Sequence, residues 1–307
     1  MIIRHLILIA VLLAAAARAP ASAEEHQLTV TPPGWSINLP ALLIKPEGDG
    51  PFPAIVMLHD CSGVGPRGSG APRRWANELV PQGYVVLIPD SFTPRGLPNG
   101  VCTVPFEFLA AANAYVRVAD AYGALALLRT LPYVDPQRIG VMGGSHGGST
   151  TLAVMTALED ANDPLSEARR NGFAAALALY PGCTFRLGGW NVTRDPVETH
   201  RITGSRGVYT PLAPLLILTG ALDDWTPAEP CRNLVESARG AGHKADIVIY
   251  PEAHHSFDNT SSVRYAAERN NGNVPGGKGA TTGGNVKAWA DAKLQVQAFF
   301  ARPLKAQ

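Results

Sequence analysis

Ser145 stands at the centre of Val141-Met142-Gly143-Gly144-Ser145-His146-Gly147-Gly148, a G-x-S-x-G between an apolar run and a segment that can continue as a helix. That spacing suits a nucleophile elbow. A serine held at a sharp strand-to-helix turn exposes its hydroxyl, and residues two before and two after must be small for strand and helix to approach. Gly143 and Gly147 meet that need. A serine nucleophile requires an acid and a histidine, and in this chain order they should follow as Ser, then Asp or Glu, then His. The apolar run Leu215–Leu218 leads into Thr219-Gly220-Ala221-Leu222-Asp223-Asp224, where Asp223 is the acid candidate and Asp224 the competing one. The next run, Ile247–Tyr250, leads into Pro251-Glu252-Ala253-His254-His255-Ser256-Phe257, where His255 is the base candidate and His254 the alternative.

The elements that must position these residues alternate along the chain. Strands are expected at 27–31, 39–45, 54–59, 85–89, 138–143, 174–179, 215–219 and 246–250, and helices at 73–80, 107–131, 147–159, 229–238 and 286–300. Such alternation predicts an α/β fold with a mostly parallel sheet covered on both faces. Segment 270–285, crowded with glycine and asparagine, is expected to be a flexible loop, positioned to serve as a lid or as a plain insertion.

Several further motifs accompany the elbow: His59-Asp60-Cys61-Ser62-Gly63, Pro89-Asp90-Ser91-Phe92, the G-x-x-D turn at Gly220–Asp223, and Tyr250 through Phe257. Together they resemble the dienelactone hydrolase family of α/β-hydrolases over roughly Leu28 to Phe300. The resemblance implies the α/β-hydrolase fold and a Ser145–His255–Asp223 triad, with His255 at the family histidine. Two positions depart from the best-known members, which carry cysteine where this chain has Ser145 and glutamate where it has Asp60. The resemblance also implies that Arg95, in the loop after strand 85–89, helps to hold a substrate carboxylate. A second family arginine is Asn259 here, so the clamp is half present and neutral esters should compete well. Arg73 and Arg74 read as surface charges.

The same logic assigns an oxyanion hole to two backbone N–H groups, that of His146 after the nucleophile and that of Cys61 after strand 54–59. The side chain of His146 should point away from the serine hydroxyl. The expected activity is hydrolysis of carboxylic esters or lactones through an acyl-enzyme, with no metal and no organic cofactor. Rival readings are an acyltransferase or peptidase using the same triad, and a binding protein on a hydrolase fold.

The compartment is read from both the N-terminus and the cysteines. Residues 1–5 are basic, 6–17 apolar, and Ala21-Ser22-Ala23 has the form of a signal-peptidase site, so 1–23 reads as a cleavable signal peptide and 24–307 as one domain. Export to the periplasm or beyond favours disulfides among the four cysteines. Adjacent βα units favour Cys61 with Cys102 and Cys183 with Cys231. A formal net charge of +1 provides no field for nucleic acid, and no membrane anchor is evident.

Overall fold

The computed structural model describes residues 24–34, 37–105, 110–158 and 163–305. The expected signal peptide lies outside them. Eight strands build the central sheet: β1 (Glu24–Val30), β2 (Leu39–Lys45), β3 (Phe52–Leu58), β4 (Val85–Pro89), β5 (Val134–Gly144), β6 (Ala175–Leu179), β9 (Leu215–Gly220) and β10 (Ala245–Tyr250). Their order is β1-β2-β4-β3-β5-β6-β9-β10; β1, β2 and β4 pair antiparallel, and from β4 onward every pairing is parallel. This is the mostly parallel α/β sheet of the α/β-hydrolase fold.

Burial on both faces explains the near-continuous apolar strands. Side chains alternate between two cores: Ala54, Val56 and Leu58 face one, whereas Ile55 and Met57 face the other. The first core is closed by α2 (Val116–Thr130), α3 (His146–Val154) and α5 (Ala228–Gly240), through residues such as Leu125, Leu152 and Leu234. The second is closed by α1 (Ala71–Leu79) and α6 (Val286–Lys305), through Trp75, Leu79, Val296 and Phe300. The parallel strands all present their carboxyl ends to one edge, and the loops there carry the candidate residues.

Three local expectations change. The helix expected over 107–131 starts only at Val116, because Asn113 Oδ1 accepts the backbone N–H groups of Tyr115 (2.9 Å) and Val116 (3.0 Å) and sets the helix start there. Residues 106–109 lie outside the described residues. A short helix α4 (Ser166–Arg170) lies between α3 and β6, and the stretch between β6 and β9 contains a polar hairpin of β7 (Asn191–Arg194) and β8 (Ile202–Arg206). Most of the expected loop 270–285 forms part of a second hairpin, β11 (Arg264–Asn270) with β12 (Lys278–Thr282). Asparagine and aspartate side chains hold it in place. Asp224 accepts the backbone N–H and hydroxyl of Thr281, both at 2.7 Å, and Asn271 donates to the carbonyls of Asp224 (3.0 Å) and Gly279 (2.8 Å). Trp225 Nε1 donates to Asn270 O at 2.7 Å.

Candidate active site

Strand β5 ends in the elbow. Ser145 has φ 53° and ψ −117°, a region that residues with a side chain rarely occupy. Its N–H donates to Leu179 O on β6 at 2.9 Å, and its carbonyl accepts from Ser149 N in α3 at 2.8 Å. The elbow glycines are fixed by contact distance. A Cβ on Gly143 would lie 2.5 Å from the Gly147 backbone, and one on Gly147 would lie 2.0 Å from Leu58 O.

The histidine and the acid arrive on the loops after β10 and β9. His255 Nε2 lies 2.8 Å from Ser145 Oγ, and His255 Nδ1 lies 2.8 Å from Asp223 Oδ2. All three side chains are buried. Asp223 Oδ1 accepts the backbone N–H groups of Trp225 (3.0 Å) and Thr226 (2.8 Å), which fixes the carboxylate and leaves Oδ2 to receive the His255 Nδ1–H and the Thr226 hydroxyl. In that tautomer Nε2 carries a lone pair aimed at the serine hydroxyl. The alternatives lie elsewhere. His254 is more exposed, its Nδ1 3.0 Å from Leu222 O, and Asp224 is committed to Thr281.

Cys61 and His146 line one cavity with Ser145. The N–H of His146 belongs to the first turn of α3, where intrahelical acceptors are lacking. The His146 ring turns away from Ser145 Oγ: its Nδ1 lies 2.8 Å from Arg117 Nη1, and it meets Phe92 edge-on at 5.6 Å. Burial, and then the Arg117 charge, pull its pKa down to about 3 from an ordinary value near 6.5. Arg117, itself buried, sits 5.0 Å over the Phe92 ring, and burial pulls it down to about 10. Behind Cys61, buried His59 accepts the Ser91 N–H at Nε2 (3.1 Å), and its pKa is also pushed well down, first by burial and then by Arg117.

These two histidines make acid sensitivity predictable. A histidine depressed in the folded state is protonated more readily when unfolded, so the unfolded chain binds extra protons between about pH 6.5 and 3. Stability from His146 is therefore complete above about pH 6.5 and is lost as pH falls toward 3, by up to about 1.4 kcal/mol per pH unit. Urea midpoints measured across that range should fall accordingly, and the His146 ring resonances should show no titration above pH 4. A His146 signal titrating near 6.5 would refute the assignment.

The other expected binding residues divide. Asp60 and Asn259 line the cleft at Ser145. Asp60 Oδ1 accepts the N–H of Ser62 at 2.7 Å, its Oδ2 takes the Ser69 hydroxyl, and Asn259 Oδ1 caps Ser261 N at 2.6 Å. Arg95 is not on the cleft, contrary to expectation. Its guanidinium forms a bidentate pair with Asp120 at 2.7 and 2.9 Å, with both side chains nearly inaccessible. Buried Asp120 on α2 requires that counter-charge, so the arginine is committed to the fold. Arg74, expected on the surface, does line the cleft.

The cysteines form two disulfides, Cys61–Cys102 and Cys183–Cys231, across 41 and 48 residues. Loops of that length lend each bond about 2–4 kcal/mol through the unfolded state. The first fastens the Cys61 loop to the segment after β4.

Residues not anticipated from sequence complete the surroundings of His255. Tyr180, at φ 35°, packs its ring 4.8 Å from the imidazole, and Trp225 packs at 4.7 Å on another side. The Tyr180 hydroxyl donates to Asp258 Oδ1 (2.9 Å) and Trp75 Nε1 donates to Oδ2 (2.6 Å), so a buried carboxylate with a raised pKa steadies the ring that steadies His255. The available signal was Tyr180-Pro181-Gly182 at the carboxyl end of an apolar strand.

Comparison with known proteins gives a consistent family. Residues 39–302 match the model of the dienelactone hydrolase family. A protein of Escherichia coli O157:H7 with the provisional name carboxymethylenebutenolidase is 27% identical over 233 residues, covering 74% of this chain and 75% of that protein. A similarly named protein of Methylorubrum extorquens is 27% identical over 234 residues, covering 75% of this chain and 72% of its own. Among solved structures, a provisionally assigned dienelactone hydrolase from Klebsiella pneumoniae superposes with a TM-score of 0.63 at 21% identity, covering 92% of this chain and 99% of its own. Thermogutta terrifontis esterase 2 superposes with a TM-score of 0.58 at 19% identity, covering 92% and 97%. At such identities the structural likeness speaks for the fold alone.

Proposed function

The chain belongs to the dienelactone hydrolase family, and from that premise we propose that it is an exported serine hydrolase that cleaves carboxylic esters or lactones through an acyl-enzyme. Ester and lactone hydrolysis is the family's activity. The observation that carries the serine mechanism is the continuous chain from Ser145 Oγ through His255 to Asp223, with both links at 2.8 Å.

In this reading Ser145 Oγ attacks the carbonyl carbon while His255 Nε2 takes its proton. Asp223 stabilises the imidazolium, and the N–H groups of Cys61 and His146 receive the developing oxyanion. His255 then protonates the leaving alcohol. Water, activated by the same imidazole, releases the acid. Export, with removal of 1–23 to leave 24–307 as one domain, is supported by the two disulfides and by the signal-like N-terminus. Among the described residues no helix is long and apolar enough to cross a membrane.

Intact-mass analysis after exposure to a fluorophosphonate tests the reading. One adduct per chain is expected, on the peptide that contains Ser145 and with concurrent loss of ester hydrolysis; labelling elsewhere, or full activity after labelling, would overturn it.

A further inference from the structure

Two cavities meet at Ser145, and their walls differ in chemistry. The larger, about 640 Å³, is lined by Val101, Ala110, Ala114, Tyr115, Phe185 and Trp225 beside the nucleophile. Among the described residues no Asp, Glu, Lys or Arg lines it. The smaller, about 310 Å³, carries Arg67, Arg74, Arg264 and Arg269 on its walls, interspersed with serine hydroxyls. Among the described residues on that lining Asp60 is the acidic group, and it is already engaged by Ser62 and Ser69. Among the described residues Arg74 donates to two carbonyls, those of Ser69 (2.6 Å) and Asp258 (3.3 Å). Arg269 lies 5.7 Å over the Trp225 ring and 3.8 Å from Glu268. The cleft therefore has positive charges in excess of its own carboxylates, with donors free to meet an anion.

The position of His255 assigns a direction. The leaving oxygen must receive its proton from Nε2, and His255 lines the arginine cleft but not the apolar cavity, whereas Ser145 and Cys61 line both. Building on the acyl-enzyme reading above, we infer that the preferred substrate joins an apolar acyl group, held in the larger cavity, to an anionic alcohol that leaves through the arginine cleft. The bond from Ser145 Oγ to the carbonyl carbon forms as its proton moves to His255. The carbon–oxygen bond to the alcohol breaks as that proton passes to the leaving oxygen. Water then attacks the acyl carbon and restores the serine hydroxyl. The anionic group can be a carboxylate or a phosphate-type group, since guanidinium pairs with both through parallel charge-assisted hydrogen bonds.

The test uses butyryl esters of 4-hydroxyphenylacetate, of its neutral amide and of 4-hydroxybenzylphosphonate, in which a methylene insulates the phenol from the charge. Phenyl hemisuccinate and phenyl butyrate form the control pair, with the charge on the acyl side. kcat/KM for the carboxylate ester should exceed that for the amide by about tenfold or more. The advantage should shrink with added salt, and the hemisuccinate should be slower than the butyrate. A phosphonate faster than the carboxylate supports the same subsite with a doubly charged ligand, and the reverse order supports a carboxylate. In Arg264→Gln/Arg269→Gln the ratio of anionic to neutral turnover should fall toward one. Equal turnover of the charged and neutral alcohol esters, a preference for the charged acyl group, or a salt-independent ratio would overturn the inference while leaving the hydrolase reading intact. Failure to cleave any of these esters would overturn the hydrolase reading and this one with it.

Discussion

Ser145→Ala should leave a folded protein whose ester hydrolysis falls by roughly 10⁴- to 10⁶-fold, the scale expected when the nucleophile of a triad is removed. The substitution deletes one oxygen and leaves the backbone demand unchanged, because alanine is as constrained as serine at φ 53°. The contacts that fix the turn involve main-chain atoms: Ser145 N to Leu179 O and Ser149 N to Ser145 O. Thermal midpoints of variant and parent should therefore agree within a few degrees. The measurement is kcat/KM on purified protein, set against background hydrolysis in water. Turnover within tenfold of the parent would reject Ser145 as nucleophile, and an equal loss in a variant that no longer folds would be recognised by its melting curve.

Asp223→Asn should cost about 10⁴-fold in kcat, through the wrong histidine tautomer rather than through lost structure. The direction of the new amide is dictated locally. Oδ1 of Asp223 accepts two backbone N–H groups, from Trp225 and Thr226, so the amide oxygen must take that place and the NH₂ group must face His255. There it donates to Nδ1, the ring proton shifts to Nε2, and the lone pair that should receive the serine proton is gone. Asp224→Asn is the informative partner. That carboxylate holds Thr281 and so anchors the β11–β12 hairpin, and its loss should lower stability by about 1 kcal/mol while activity stays within about tenfold. A larger activity loss at Asp224 than at Asp223 would exchange their roles. His254→Ala, compared with His255→Ala, makes the same test for the base.

Much of the scaffold could be read from residue order because its determinants are local and periodic. Most of the buried strands stand out as short apolar runs, and the parallel arrangement from β4 onward follows from the helices between them. Gly143 and Gly147 were legible for a similar reason, since backbone contact at the elbow leaves no room for a side chain whatever surrounds it. The order serine, acid, histidine narrowed the candidates to Ser145, two adjacent aspartates and two adjacent histidines. Within each pair, local sequence offers little to separate neighbours, and it is the packing of loops from different strands that sets one of them 2.8 Å from its partner.

Segment 264–282 was the least legible. Its hairpin is held by asparagine and aspartate side chains reaching to distant carbonyls and N–H groups, and such bonds leave no hydrophobic period in the sequence. The charge of the cleft was hidden for the same reason. Arg95, in the loop where a binding arginine was expected, is drawn inward because the buried carboxylate of Asp120 must be neutralised. Arg67, Arg74, Arg264 and Arg269, scattered over some two hundred residues, gather around Ser145 only when the loop after β3, the start of α1 and the hairpin fold onto the same edge of the sheet. The sequence alone determined the sheet, the elbow and the residue types available for chemistry, because these rest on periodicity and backbone sterics. Which aspartate, which histidine and which arginines face the nucleophile was decided by tertiary structure, because that depends on where long-range packing and buried-charge pairing direct each side chain.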